Sequence, residues 1–205
     1  MRKRIVLILL IFFLTVTFNP VIPILYSQES LFRWIENSTK DQDEIIIESF
    51  RIMDFDQRIA AVDALSNRTE RDFGFLIDEL YYSKSYKKAE KEYLLYLILE
   101  KLFSGVETVS DTGEPFYLLC NDIANYQQPI LRKKIMEKTN LISDAEGEKI
   151  LLKEALFLEK QGKRDSYLDS KMIEECKIFI REAERIGTQI LRDYIEIIYA
   201  AVRNL

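Results

Sequence analysis

Apolar side chains recur at every third or fourth position along most of this chain, and alternation with period two is almost absent. The pattern therefore predicts helices and almost no strand. Ser30 caps a short helix through Asn37, and Thr39 or Asp41 opens a second to about Met53, on which Ile45, Ile46, Ser49, Phe50 and Met53 form one stripe. Asp54-Phe55-Asp56 interrupts it, with Asp56 placed as the N-cap of a third helix from Gln57 to Leu65. Asn67 with Thr69-Glu70-Arg71-Asp72 opens a fourth to about Tyr82. A fifth, Tyr86 to Phe103, contains the unbroken apolar run Tyr93 to Leu99 and must be covered on both sides.

A loop from Ser104 to Glu114 is the longest break in this part of the chain. Pro115 then suits the first turn of a helix to about Tyr126, and Pro129 that of another to about Ile142. Ser143 with Glu146 opens one that Gly162 stops after Gln161. Asp169 or Ser170 begins a helix that Gly187 ends after Ile186, and Thr188 caps the last, from Gln189 to Asn204. The fold class is all-α, with about ten helices joined mostly by short turns.

Periodicity fails only at the N-terminus. Arg2-Lys3-Arg4 precedes an apolar or small run from Ile5 to Phe18, the layout of an export signal. Pro20 and Pro23 follow, no A-x-A cleavage pattern is present, and Ser27 has bulky Leu25 two positions before it. Ile5 to Tyr26 would span about 33 Å as a helix, so residues 1–27 are read as a signal peptide or a signal anchor. The basic cluster puts the remaining chain outside the cytoplasm, in a periplasmic or extracellular space, touching a membrane only through the leader if that is uncleaved. Residues 28–205 are read as a single all-α domain. No Cys ends the apolar run, so a lipid anchor is not supported.

Composition narrows the classes further. Of 205 residues, 48% are hydrophobic and only six are Gly and four Pro, which excludes disordered and collagen-like chains. From Gln28 onward there are 26 Lys and Arg against 34 Asp and Glu, a formal charge of -8, which repels phosphate backbones, so no nucleic-acid partner is expected. The chain has no His, which removes the commonest general base and zinc ligand together, and it has no CxxC, Gly-rich phosphate loop or G-x-S-x-G elbow. No metal or cofactor is expected.

Cys120 and Cys176 lie on apolar stripes and read as small core residues, the alternative being one bridge in an oxidising compartment. Asn37-Ser38-Thr39 and Asn67-Arg68-Thr69 match the glycosylation acceptor pattern, which matters only where that machinery exists. Carboxylates pair in sequence at Asp54 and Asp56, Asp78 and Glu79, Glu174 and Glu175, and Glu182 and Glu184. On a helix the last three pairs point apart, and all four read as solvated surface acid or, at Asp56, as a cap.

The segment Asp56-Gln57-Arg58-Ile59-Ala60-Ala61-Val62-Asp63-Ala64-Leu65 has an acid and an Arg near its start, alanines at packing positions and an Ala-Leu end. It resembles the second helix of a HEAT or HEAT-like repeat. Pro129-Ile130-Leu131-Arg132-Lys133-Lys134-Ile135-Met136 is a weaker copy, with Arg132 in the place of Arg58 at a distance of 74 residues, twice 37. Between them Tyr86 to Phe103 fits by length and position but lacks the Arg. The resemblance covers residues 43–142 and fades beyond Ser143. It implies antiparallel helix pairs stacked as a short α-solenoid, a curved scaffold that holds other proteins; without it the chain is an irregular helical bundle.

The last helix is the sharpest candidate surface. Gln189, Arg192, Asp193, Glu196, Arg203 and Asn204 share a narrow arc, whereas Ile190, Leu191, Tyr194, Ile195, Ile197, Ile198, Tyr199, Ala201 and Val202 cover about 200°. A terminal repeat should have a polar outer face. The helix is therefore expected to fold into the core or to meet another protein, including a second copy of this chain. Tyr81, Tyr82, Tyr86, Tyr93 and Tyr96 cluster within sixteen residues, and Tyr86 and Tyr93 join the candidate interaction surface with Ile190, Tyr194, Ile197, Ile198 and Tyr199. The expected function is a non-enzymatic, exported interaction scaffold. Its rivals are a carboxylate-dependent hydrolase of an envelope polymer, which needs two facing acids in a pocket, and a carrier of an apolar ligand, which needs an internal cavity.

Overall fold

The structure, a computed structural model, describes residues 28–68, 72–103, 113–164 and 170–203. The leader, Thr69-Glu70-Arg71, most of the loop from Ser104, and Asp169 lie outside them. Among the described residues there are ten α-helices, three short 3-10 helices and no strand, so the fold is all-α. None of these helices is long and apolar enough to cross a membrane. They fall into two compact units that divide after Arg71, a boundary the sequence pattern does not mark.

The first unit holds α1 (Gln28–Glu36), α2 (Asp43–Ile52) and α3 (Phe55–Ser66). Alanine spacing lets α3 lie close against α1, with Ala61, Val62, Ala64 and Leu65 buried along with Ile35, Ile46 and Phe50. The pattern places the N-cap of α3 at Asp56; the structure places it at Asp54. The Asp54 carboxylate accepts from the Gln57 N–H at 2.9 Å, and the Gln57 side chain accepts from the Asp54 N–H at 3.0 Å. This reciprocal box satisfies two otherwise orphan donors, and Asp56 is the second residue of the helix, within its first turn. Asp54→Ala should lower stability by about 1 kcal/mol in urea titrations, whereas Asp56→Ala, which loses only a first-turn dipole interaction, should cost about 0.3 kcal/mol. Asn67, expected to open the next helix, instead ends α3. Beside it Arg68 is buried, donating from Nε to the Ser38 carbonyl and from Nη1 to Asp43, both at 2.8 Å.

The second unit holds α4 (Gly74–Tyr82), α5 (Lys88–Leu102), α6 (Gly113–Asn121), α7 (Pro129–Glu137), α8 (Asp144–Arg164), α9 (Ser170–Ile186) and α10 (Gln189–Arg203). Contacts run to near neighbours in sequence: α4 meets α5 and α6, α5 meets α7, α7 meets α9, and α8 meets both α9 and α10, which also meet each other. The apolar run on α5 is spent inward at Leu94, Leu95, Ile98 and Leu99, all fully buried, whereas Tyr93 stays exposed and Tyr96 and Leu97 half-buried. Two helices end earlier than the pattern predicts, because 3-10 turns (Ile123–Asn125 and Thr139–Leu141) take over their last residues. Another runs longer: α8 passes through Gly162 to Arg164, as a single glycine costs only about 1 kcal/mol in a helix that is otherwise packed. Gly187 does end α9, with a left-handed φ of 74° that suits glycine.

One device recurs in both units. The fourth residue of α3, of α5 and of α7 is a cation reaching back to carbonyls at the end of the preceding helical segment. Arg58 donates to the carbonyls of Phe50 (3.0 Å) and Arg51 (3.1 Å), Lys91 to those of Tyr81 (2.7 Å) and Ser83 (3.3 Å), and Arg132 to that of Tyr126. Helix ends leave carbonyls without partners at the negative end of the dipole, so a positive side chain there is favoured twice over. The segment that lacks the Arg thus carries Lys91 in the equivalent place.

Candidate functional site

Arg132, Glu154 and Glu175 come from three helices, α7, α8 and α9, and all three are buried. Each sits on its helix's apolar stripe: Arg132 beside Leu131 and Ile135, Glu154 between Leu151 and Leu158, and Glu175 four residues before Phe179. Glu175 takes the guanidinium edge-on, accepting from Nε at 2.8 Å and from Nη2 at 2.9 Å. Nη1 serves the Tyr126 carbonyl, and the Phe157 ring lies 4.2 Å from the guanidinium carbon. Glu154 Oε1 stands 3.4 Å from Nε, but neither Glu154 oxygen has a hydrogen-bond partner among the described residues. Burial pushes the Glu154 carboxyl up to about 8; Glu175 adds to the rise and Arg132 opposes it. At neutral pH the group therefore holds its proton beside the Arg132–Glu175 ion pair.

Two acids do face one another here, the feature a carboxylate-dependent hydrolase would need, but they are sealed in the core. Chemically the arrangement can bind a proton and tie three helices together. The acid pairs read as solvated are corrected by the same geometry, since one member of each helical pair turns inward. Glu79 is buried and accepts from the Tyr86 hydroxyl at 3.0 Å, Glu175 binds Arg132, and Glu182 is buried between Arg181 and Arg185. Asp78, Glu174 and Glu184 are the exposed members. Glu92, another buried acid, accepts from the backbone N–H groups of Gln127 and Gln128, the latter at 2.6 Å, and so fixes the entry into α7. A carboxylate inside an apolar stripe was the available signal for Glu92, Glu154 and Glu175, and pairing acids by sequence adjacency misses it.

Among the described residues no three Cys, Asp or Glu side chains are grouped to hold a metal. Cys120 and Cys176 are both free and buried, as small core residues would be, and burial pushes the Cys176 thiol up to about 12. The tyrosines divide. Tyr81 and Tyr82 meet edge to face at 4.9 Å, and Tyr81 donates to Asp122 at 2.5 Å, a bond that raises its hydroxyl to about 12. Tyr93 and Tyr96 pair at 6.1 Å, while Tyr86 is buried and so does not belong on a contact surface.

On α10 the broad apolar sector splits into two stripes. Leu191, Ile195 and Ile198 are buried, and the helix packs on α8 and α9. Ile190 and Ile197, seven residues apart, are 46% and 45% exposed, with Tyr194 half-buried between them and Tyr199 half-buried further round. Ile198 therefore belongs to the inner stripe rather than to the candidate surface. Arg192, Asp193 and Glu196 are exposed on the polar arc, where Gln189 donates to Asp193 at 2.8 Å. No family model, curated protein or solved structure matches this chain.

Proposed function

We propose that this chain is an exported, non-enzymatic scaffold of stacked helix pairs that binds another protein through the outer stripe of α10. The observation that carries this reading is the pair Ile190 and Ile197: α10 is held by its inner stripe, and two isoleucines on a second stripe present apolar surface that the fold leaves uncovered. Tyr194 between them adds an aromatic body with a polar tip, a type favoured in contact surfaces. The cation repeated at Arg58, Lys91 and Arg132 supports a HEAT-like organisation, because it ties successive helices in the same manner each time. The enclosure of Glu154 and Glu175 speaks for a structural rather than hydrolytic use of the paired acids. Export rests on Arg2-Lys3-Arg4 and the apolar run after it.

A photo-crosslinking side chain placed at Tyr194 of the full chain, irradiated in the native cell, should yield one discrete adduct, with a protein partner or at twice the chain mass. The same probe at Glu184, exposed on α9, should give none. Equal, diffuse labelling from both positions would refute the reading.

A further inference from the structure

None of the Arg132 hydrogen bonds goes to Glu154. Its single Nε–H goes to Glu175 Oε1, Nη2 serves the other oxygen of Glu175, Nη1 serves the Tyr126 carbonyl, and the Phe157 ring stacks on the guanidinium. Glu154 is nonetheless fully buried 3.4 Å from that Nε, with neither oxygen in a hydrogen bond among the described residues. A second anion on a guanidinium already matched by one carboxylate gains little attraction and bears the full cost of leaving water. As an acid, Glu154 avoids that cost.

We propose that Arg132, Glu175 and Glu154 form a proton-controlled latch across α7, α8 and α9: protonated Glu154 lets the three helices close, and its loss of the proton sets two carboxylates against one guanidinium and loosens α8 together with α10. The helix that bears the outer stripe thus becomes sensitive to pH. Glu154 is held up to about 8 in the fold, against its ordinary 4.5, mainly by burial. A folded value above the unfolded one means that the fold binds this proton more tightly. Stability from this group is therefore greatest below about 4.5, falls as pH rises toward about 8, and levels off beyond. Among the described residues, the charged and titratable groups facing it are Arg132 from α7 and Glu175 and Cys176 from α9. The 3-10 helices that pack on α8 contain no charged residue, and Arg192, Asp193 and Glu196 of α10 are exposed to solvent.

The test uses the full chain and two variants that keep volume but cannot ionise, Glu154→Gln and Glu154→Leu. Between pH 5.5 and 7.5 the unfolding equilibrium constant of the parent, relative to either variant, should rise by up to about tenfold per pH unit, the linkage of one proton. Its infrared spectrum should show a protonated-carboxylic-acid band at pH 6 that fades above pH 8 and is missing from both variants. Hydrogen exchange in α8 and α10, corrected for the intrinsic rate, should speed up above pH 8 in the parent alone. If the acid band is absent from the parent at pH 6, or if it fades with no change in α8 and α10, the latch is refuted, even should either variant fail to fold.

Discussion

Arg132→Met is expected to lower the unfolding free energy by about 3–5 kcal/mol, the usual cost of taking one partner from a buried ion pair. The guanidinium pairs with Glu175 and stands 3.4 Å from Glu154, and it also fills the Tyr126 carbonyl and rests on Phe157. Methionine replaces the stem but leaves the Glu175 carboxylate buried without its two charge-assisted hydrogen bonds. The double variant Arg132→Met with Glu175→Leu should regain much of the loss, because a buried pair replaced as a whole by apolar groups of similar volume is often nearly neutral. Urea unfolding followed by helical circular dichroism checks both. A single-variant loss below about 1 kcal/mol would mean that Arg132 does not hold α7 to α9.

Much of this architecture was legible because helix starts and stops are written in short-range chemistry. The proline that opens α7, the glycine after α9 and the 3.6-residue stripes all act within one or two turns, and the structure follows them. Where local signals compete, they mislead: Asp54 and Asp56 are equally suited to cap α3, and only the reciprocal bond with Gln57 decides between them. Gly162 is a stop signal overridden by the surrounding helix. The buried cluster was half visible. Arg132 stands out by its place in a repeat-like segment, but its partners lie 22 and 43 residues further on, and nothing local couples them to it. Lys91 was hidden because a lysine does the work for which the pattern asks an arginine. On α10 the width of the apolar sector was legible, and its division into an inner and an outer stripe required the packing of α8 and α9.

The outer stripe leads to the second large effect. Charging it with Ile190→Asp and Ile197→Asp should cost the fold no more than about 1 kcal/mol, roughly 0.5 for each substitution, since both side chains are exposed ones. Covering each half-exposed isoleucine with a partner contributes roughly 1 kcal/mol, half the value for full burial, so losing both corresponds to at least about tenfold in affinity. Aspartate adds the cost of drying a charge. Leu191→Ala should behave in the opposite way, costing about 2–5 kcal/mol of stability because that side chain fills the inner contact.

The most direct measurement is the yield of the Tyr194 crosslinked adduct from the full chain carrying Ile190→Asp and Ile197→Asp, with the urea midpoint read on the same preparation. An adduct reduced at least about tenfold with the midpoint shifted only slightly is the predicted result. An undiminished adduct from the charged stripe, or a collapse of the midpoint that makes those isoleucines part of the fold, would contradict it.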